Sequence, residues 1–230
     1  MADRKAHDVI KTYLEKTDIP ILSEEGGDIA YTDRVNWPFF WLVDPLDGTK
    51  EFIKKNGEFT VNIALVEEGN PILGVVYAPY VEDLYFGEKD FGAYKVENLK
   101  DTEGNFNDLN DLMKRGINLP KSEHREKLVV VASRSHLNED TQAFIDQLKE
   151  QHGEVDFISK GSSLKICMVA EGNADIYPRF APTMEWDTAA GHGVAVSAGF
   201  HVTEKDEKTP LKYNKEILKN PWFIVKRENI

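Results

Sequence analysis

Two aspartates, Asp44 and Asp47, stand three residues apart in WLVDPLDGTKEF (residues 41–52), directly behind an apolar run. Two other acidic groups sit in similar places. IPIL runs into Glu24-Glu25, and Asp187 follows the loop PTMEW. Loops at strand ends are where α/β proteins build their sites. Taken singly, each acid reads as a turn residue, and Asp187 as an N-cap. Taken together, they suit hard divalent cations such as Mg²⁺, which choose carboxylate oxygens and keep water ligands. Bridging carboxylates of this kind hold paired ions ~3.5–4 Å apart. The net charge of −12 points the same way. So acidic a chain would repel a small phosphate substrate unless cations were bound locally.

The string also invites comparison with the Asp-x-Asp-Gly-Thr signature of phosphatases that form an aspartyl-phosphate. In that signature the nucleophile lies two residues before the second aspartate. Counting back from Asp47 gives Pro45, which has no nucleophile, and Asp44 is one residue too far. The covalent chemistry is therefore disfavoured. Pro45 instead stiffens the turn. Gly48-Thr49 can offer backbone N–H groups and a hydroxyl to a phosphate.

The elements that must position these residues are legible in outline. The 230 residues suit one large domain or two small lobes sharing a core. At 41% hydrophobic and 30% charged, the chain is globular in composition. Helical spacing of apolar residues predicts helices over 4–16, 141–151 and 162–172, the last stopping at Gly172. A helix of very small residues is expected over 186–200. Strands are expected at 19–22, 37–43, 127–136, 174–180, 201–204 and 222–226. Hairpins are expected over 59–79 and 83–96, with turns at 68–71 and near 89–90. Residues 97–125 are polar and without clear period. The mixture is α/β or α+β with much antiparallel sheet.

No basic stripe is present to neutralise a nucleic-acid backbone, so nucleic acid is not an expected partner. One cysteine, Cys167, allows no internal disulfide and suggests a reducing compartment. No apolar run approaches the ~18 residues of a membrane helix, and charges interrupt the opening residues throughout, unlike a signal peptide. The expected location is the cytoplasm, with peripheral attachment at the inner membrane left open.

VDPLDGTKEF, with LSEEG before it and WDTAAG far downstream, resembles the Li⁺-sensitive, Mg²⁺-dependent phosphatases of the inositol-monophosphatase superfamily. The strings KEFIKKNGEFTVNIALVEEGNPILGVVYAP, SRSH, GSSLK and ADIYPRF are similar to its 3′(2′),5′-bisphosphate nucleotidases. These remove the 3′-phosphate of adenosine 3′,5′-bisphosphate, a by-product of sulfate assimilation. The resemblance implies a layered α/β sandwich with mixed sheets. A metal-binding lobe would span 1–98, a connector 99–126, and a second lobe completing the site 127–230, all within one phosphatase domain. It implies two or three Mg²⁺ ions held by Glu24, Asp44, Asp47, Asp187 and the Leu46 carbonyl. Glu25 matches a position that does not usually bind metal. Asp3 and Thr49 would orient the attacking water, and Gly48 and Thr49 would hold the scissile phosphate. His136, Ser162, Lys165 and Arg179 would contact the nucleotide and its second phosphate. From the residues alone, Lys165 reads equally well as a solvated helix face and His136 as part of a capped loop. Tyr177 and Phe180 read as core rather than as flanks of a base.

Members of that superfamily begin a few dozen residues earlier, with a helix and a Ser-Pro-Val-Thr-like stretch ahead of the Asp3 equivalent. Here Met1 takes that place. The expectation is a truncated or misassigned start, part of the helical layer missing, and Asp3 free to fray. Rival expectations are the same chemistry on inositol phosphates or fructose 1,6-bisphosphate, or a catalytically impaired protein that binds metal and nucleotide.

Overall fold

The computed structural model describes residues 1–102, 108–121, 127–132, 138–228 and 230. Its elements in chain order are α1 (Ala2–Leu14), β1 (Ile21–Ser23), α2 (Tyr31–Arg34), β2 (Phe39–Asp47), α3 (Thr49–Lys54), β3 (Thr60–Glu67), β4 (Asn70–Ala78), β5 (Asp83–Glu88) and β6 (Gly92–Val96). Then come α4 (Leu109–Arg115), β7 (Ile117–Leu119), β8 (Leu128–Ala132), α5 (Glu139–His152), β9 (Val155–Ser159), α6 (Leu164–Ala170), β10 (Ile176–Arg179), α7 (Ala189–Ser197), β11 (His201–Glu204) and β12 (Phe223–Lys226).

Strands β1 to β7 form one sheet in sequence order, antiparallel except for the parallel β1–β2 pair. The other sheet has the order β11-β12-β10-β8-β9. Alternation along β3 sends Thr60, Asn62, Ala64 and Val66 to the buried side. There they meet α6 and α7, whose opposite sides pack on Val129, Val131, Tyr177 and Phe223 of the second sheet. Ile145 and Leu148 of α5 close that sheet's far face against Val130, Ile176 and Phe180. Helix α1 lies against β1 and β2, next to Trp41, whose Nε1 donates to Thr17 Oγ1 at 2.9 Å. The result is the layered α/β sandwich with mixed sheets that the resemblance implied.

Several boundaries differ from the expected ones, for physical reasons. Strand β2 does not stop before Asp44; it runs through Asp47. The last residues before α7 form a turn, with Asp187 N donating to Met184 O and Thr188 N to Glu185 O, so the helix starts at Ala189 and not near 186. Asp187 is therefore not its N-cap. The aperiodic segment 97–125 contains α4 and β7, and β7 extends the first sheet by pairing with β6. Short α2, α3 and β9 also escaped the pattern, because none spans enough residues to show a period.

The small residues of α7 allow contact with the sheet at backbone distance. A Cβ on Gly74 of β4 would come within 2.0 Å of Ala190 O, and one on Gly193 within 2.9 Å of Gly74 N. Nothing flexible can yield there. Gly74→Ala should lower stability by about 3 kcal/mol or more through overpacking, read as a fall in the urea midpoint. An unchanged midpoint would contradict the close docking of α7.

Candidate active site

A regular strand places residues three apart on opposite faces. Asp44 and Asp47 escape this because β2 bulges between them. Asp44 pairs with Asn62 and Asp47 with Thr60, so three steps on β2 match two on β3. The extra residue returns both carboxylates to the buried face. Pro45 falls inside the bulge, where its missing N–H costs no ladder bond. Leu46 N donates to Asp44 Oδ1 at 2.9 Å and fixes the turn. Parallel pairing of Ser23 with Val43 brings Glu24, the residue that follows β1, to the same edge as Asp44, where Glu24 N donates to Val43 O at 3.1 Å. Asp187 arrives from the turn before α7, held by Met184 N at 2.8 Å from its Oδ2.

Oxygens of Asp44, Asp47 and Asp187 lie within 4.8 Å of one another. Like charges at about 4 Å repel by a few kcal/mol per pair at the effective dielectric of a protein. Asp44 is 1 % exposed, and burial, then the charges of Asp47, Glu24 and Asp187, push its carboxyl well above the usual range. Burial and Asp47 push Asp187 up to about 7. Glu24 is raised mainly by burial, with its Asp44 hydrogen bond opposing. Hard oxygen donors, mutually repelling and partly desolvated, are the donor set a divalent cation relieves.

Asp47 is anchored by residues of the GSSLK string. Its Oδ2 accepts from Ser162 Oγ at 2.5 Å, Ser163 N at 2.7 Å and Ser163 Oγ at 3.0 Å. Ser162 reaches it from a left-handed backbone, φ 52°, a strained conformation for serine. Its hydroxyl is also 2.6 Å from Thr60 Oγ1. Ser162, expected to contact the nucleotide, thus holds Asp47 and Thr60 and also lines the cleft beside them. Ser163, Asn62 and Thr60 went unnoticed in the sequence. Thr60 and Asn62 carried a signal: both are polar at inward positions of an otherwise apolar alternation.

Beside the aspartates opens a cleft of about 150 Å³, lined among others by Gly48, Glu51, Lys165, Tyr177 and Arg179. Gly48 turns the chain there with φ 88°, a conformation open to glycine. Lys165 is 5 % exposed, not on a solvated face. Its Nζ donates to Ser162 O at 2.7 Å, and burial lowers its pKa to about 8. Arg179 donates from Nη2 to Pro182 O at 2.9 Å, while its buried Nε has no partner among the described residues. Tyr177 and Phe180 are buried, in line with core packing.

The remaining expected residues are placed less closely. Asp3 lies in the first turn of α1, its Oδ1 bound to the Met1 amine and to Arg4 N. Thr49 begins α3, exposed, and no hydrogen bond joins it to Asp3 among the described residues. His136 lies outside the described residues.

The sequence profile of the inositol monophosphatase family matches residues 1–227. The chain belongs to the inositol monophosphatase family. It is 45% identical over 232 residues to the 3′(2′),5′-bisphosphate nucleotidase CysQ of Salmonella typhimurium, covering 97% of this chain and 83% of that one. The crystal structure of CysQ from Bacteroides thetaiotaomicron superposes with a TM-score of 0.94 at 52% identity, over 99% of this chain and 84% of that one. Staphylococcal IMPase-II shares the fold, with a TM-score of 0.72 at 20% identity over 99% and 80% of the two chains. The family is metal-dependent, and the Asp44, Asp47 and Asp187 cluster offers the place for a metal. No helix among the described residues is long and apolar enough to cross a membrane.

The raised carboxyls fix a direction for pH dependence. Between about pH 4 and 7 the folded, cation-free chain keeps a proton on Asp187 that the unfolded chain has released. Stability from this group is full below the unfolded pKa and is lost as pH rises through about 7; Asp44 and Glu24 act in the same sense. In EDTA the Tm should fall between about pH 5 and 8, and a divalent cation should restore more at the upper end. Asp44→Asn should raise the Tm in EDTA at high pH yet cut turnover at least ~100-fold. A Tm in EDTA that is flat with pH would refute the repulsion argument.

Proposed function

We propose that this protein is a Mg²⁺-dependent phosphatase that hydrolyses adenosine 3′,5′-bisphosphate to AMP and phosphate. The observation that carries the reading is the polarity of the cleft. One end holds three carboxylates within 4.8 Å, and the same cleft is lined by Lys165 and Arg179. A monophosphate needs only the acidic end. A substrate with two phosphates uses both, the second one meeting a buried ammonium and a guanidinium whose fork suits phosphate oxygens. The name of the relatives, 3′(2′),5′-bisphosphate nucleotidase, agrees with this division.

Asp44, Asp47, Asp187, Glu24 and the Leu46 carbonyl would hold two or three Mg²⁺ ions. When bound, they supply a Lewis acid that acidifies water and offsets phosphoryl charge. The amides of Gly48 and Thr49 would hold the scissile 3′-phosphate at the start of α3. Asp3 and Thr49 would align the attacking water in line with the 3′-oxygen, Asp3 exchanging its present partners, Met1 and Arg4, for that water. Lys165 and Arg179 would hold the 5′-phosphate and so fix which phosphate reaches the acids. His136 would act on the nucleotide. No side chain in this scheme carries the phosphoryl group, consistent with Pro45 standing where a nucleophilic aspartate would be. The net charge of −12 disfavours a nucleic-acid partner, and the reading is of a small-molecule substrate handled in the cytoplasm.

Assays of adenosine 3′,5′-bisphosphate, inositol monophosphate and fructose 1,6-bisphosphate side by side test the reading. The nucleotide should have the highest kcat/KM, and preference for either of the others would overturn it. Single turnover in ¹⁸O-water should place label in the released phosphate, and label first entering the protein would sink direct hydrolysis. Because Lys165 loses its proton as pH rises through about 8, kcat/KM for the bisphosphate should decline above that pH. In Lys165→Arg, whose guanidinium stays charged, this decline should disappear.

A further inference from the structure

Two buried residues at the acidic end have no part in the reaction as drawn. Asn62 is 1 % exposed and Ser163 4 %. Asn62 Nδ2 donates to Ser163 Oγ at 2.9 Å. That same oxygen lies 2.8 Å from the Asp187 carbonyl and 3.0 Å from Asp47 Oδ2. A hydroxyl has one proton and two lone pairs. Asn62 fills a lone pair, and the single proton serves the two aspartate segments. Ser163 thus ties together β2, β3 and the turn before α7, three segments far apart in sequence. Two of them carry charges that repel.

Core satisfaction alone does not account for the pair. Asn62 stands opposite Asp44 on the same face of the sheet, where Ala64 and Val66 continue the row in apolar form. Its Oδ1 is buried with no partner among the described residues. An amide left half unsatisfied costs stability, so a contribution to the fold does not by itself explain Asn62. What it gains is a donor for Ser163 Oγ, which turns the hydroxyl proton toward the aspartate segments. Asp47 keeps Ser162 Oγ and Ser163 N even without that hydroxyl. The Asp187 carbonyl has its contact with the GSS segment through Ser163 Oγ.

We propose that Ser163, oriented by Asn62, is a positioning residue that sets the separation of Asp47 and Asp187 and thereby the affinity of the site for a divalent cation. The inference rests on the reading of these aspartates as metal ligands. Removing the hydroxyl frees the Asp187 turn to drift away under repulsion from Asp47. The substrate's other end is unaffected, since Lys165 and Arg179 keep their own backbone partners, Ser162 O and Pro182 O.

The test is calorimetric titration of Mg²⁺ alone into the whole chain, with thermal melts alongside. Ser163→Ala should weaken Mg²⁺ binding about tenfold or more, in the range known for partners of metal ligands. Asn62→Ala should weaken it in the same direction by several-fold, and it serves in place of Ser163→Ala if that variant does not fold. At saturating Mg²⁺ the KM of Ser163→Ala for the bisphosphate should stay within about twofold of wild type. Tyr85→Phe is the control for mere destabilisation. It removes a buried hydrogen bond to Glu171, just past the far end of α6, so its Tm should fall with Mg²⁺ affinity unchanged. Wild-type affinity in Ser163→Ala would overturn the proposal, as would an equal loss of affinity in Tyr85→Phe. A wild-type chain that binds Mg²⁺ but hydrolyses no bisphosphate would overturn the proposed function and leave this inference standing.

Discussion

Mutual repulsion among Asp44, Asp47 and Asp187 is the constraint around which the acidic end of the cleft is arranged. Three carboxylates within 4.8 Å would separate if their backbones were free. Each is instead tied by main-chain donors: Leu46 N for Asp44, Ser163 N for Asp47 and Met184 N for Asp187. Backbone amides suit the task because they neutralise charge without adding a side chain that must itself be ordered. The crowding shows as strain. Ser162 adopts a left-handed backbone, β2 gives up regular pairing, and Asp44 and Asp187 hold protons far more readily than free carboxyls.

Helix α6 couples this strained end to the rest of the molecule. The residues at its start touch Asp47, and Lys165 in its first turn lines the cleft. Just past its other end, Glu171 enters a buried network with Tyr85 and with Lys95, whose Nζ is 3.0 Å from Glu171 and 2.7 Å from Asp83. That network belongs to the first sheet, so the helix is gripped at both ends by strands of one sheet while its flank packs on α7. Acidic and basic ends of the cleft therefore share one rigid support.

Legibility in the sequence followed locality. The acids at Glu24, Asp44, Asp47 and Asp187 were visible as residue types, and periodicity found α1, α5, α6 and both early hairpins. The reason Asp44 and Asp47 can cooperate was not visible. Their spacing of three is wrong for a strand and by pattern places them beyond one; only pairing with Asn62 and Thr60 exposes the bulge. Strand β7 was hidden because its three residues owe their conformation to β6. That Ser162 would also hold Asp47 and Thr60 was not visible, because hydroxyl chemistry does not say which neighbour it will meet. The reading of Asp3 and Thr49 as a water-orienting pair rests on family resemblance, and neither side chain has a local pattern that would suggest it.

The docking of α7 on β4 has a consequence for how the site can change. Asp187 is carried by the turn that leads into α7, and α7 meets the sheet main chain to main chain, at Gly74 and Gly193. The root of the Asp187 turn is therefore measured out from β4 in peptide units, and side-chain hydrogen bonds such as those of Ser163 Oγ make the final adjustment toward β2. Substituting larger or smaller apolar residues between the layers, the usual way protein families tune spacing, has no purchase on such a ruler. The docking of α7 on β4 thus holds the starting point of the Asp187 turn against drift in the surrounding core.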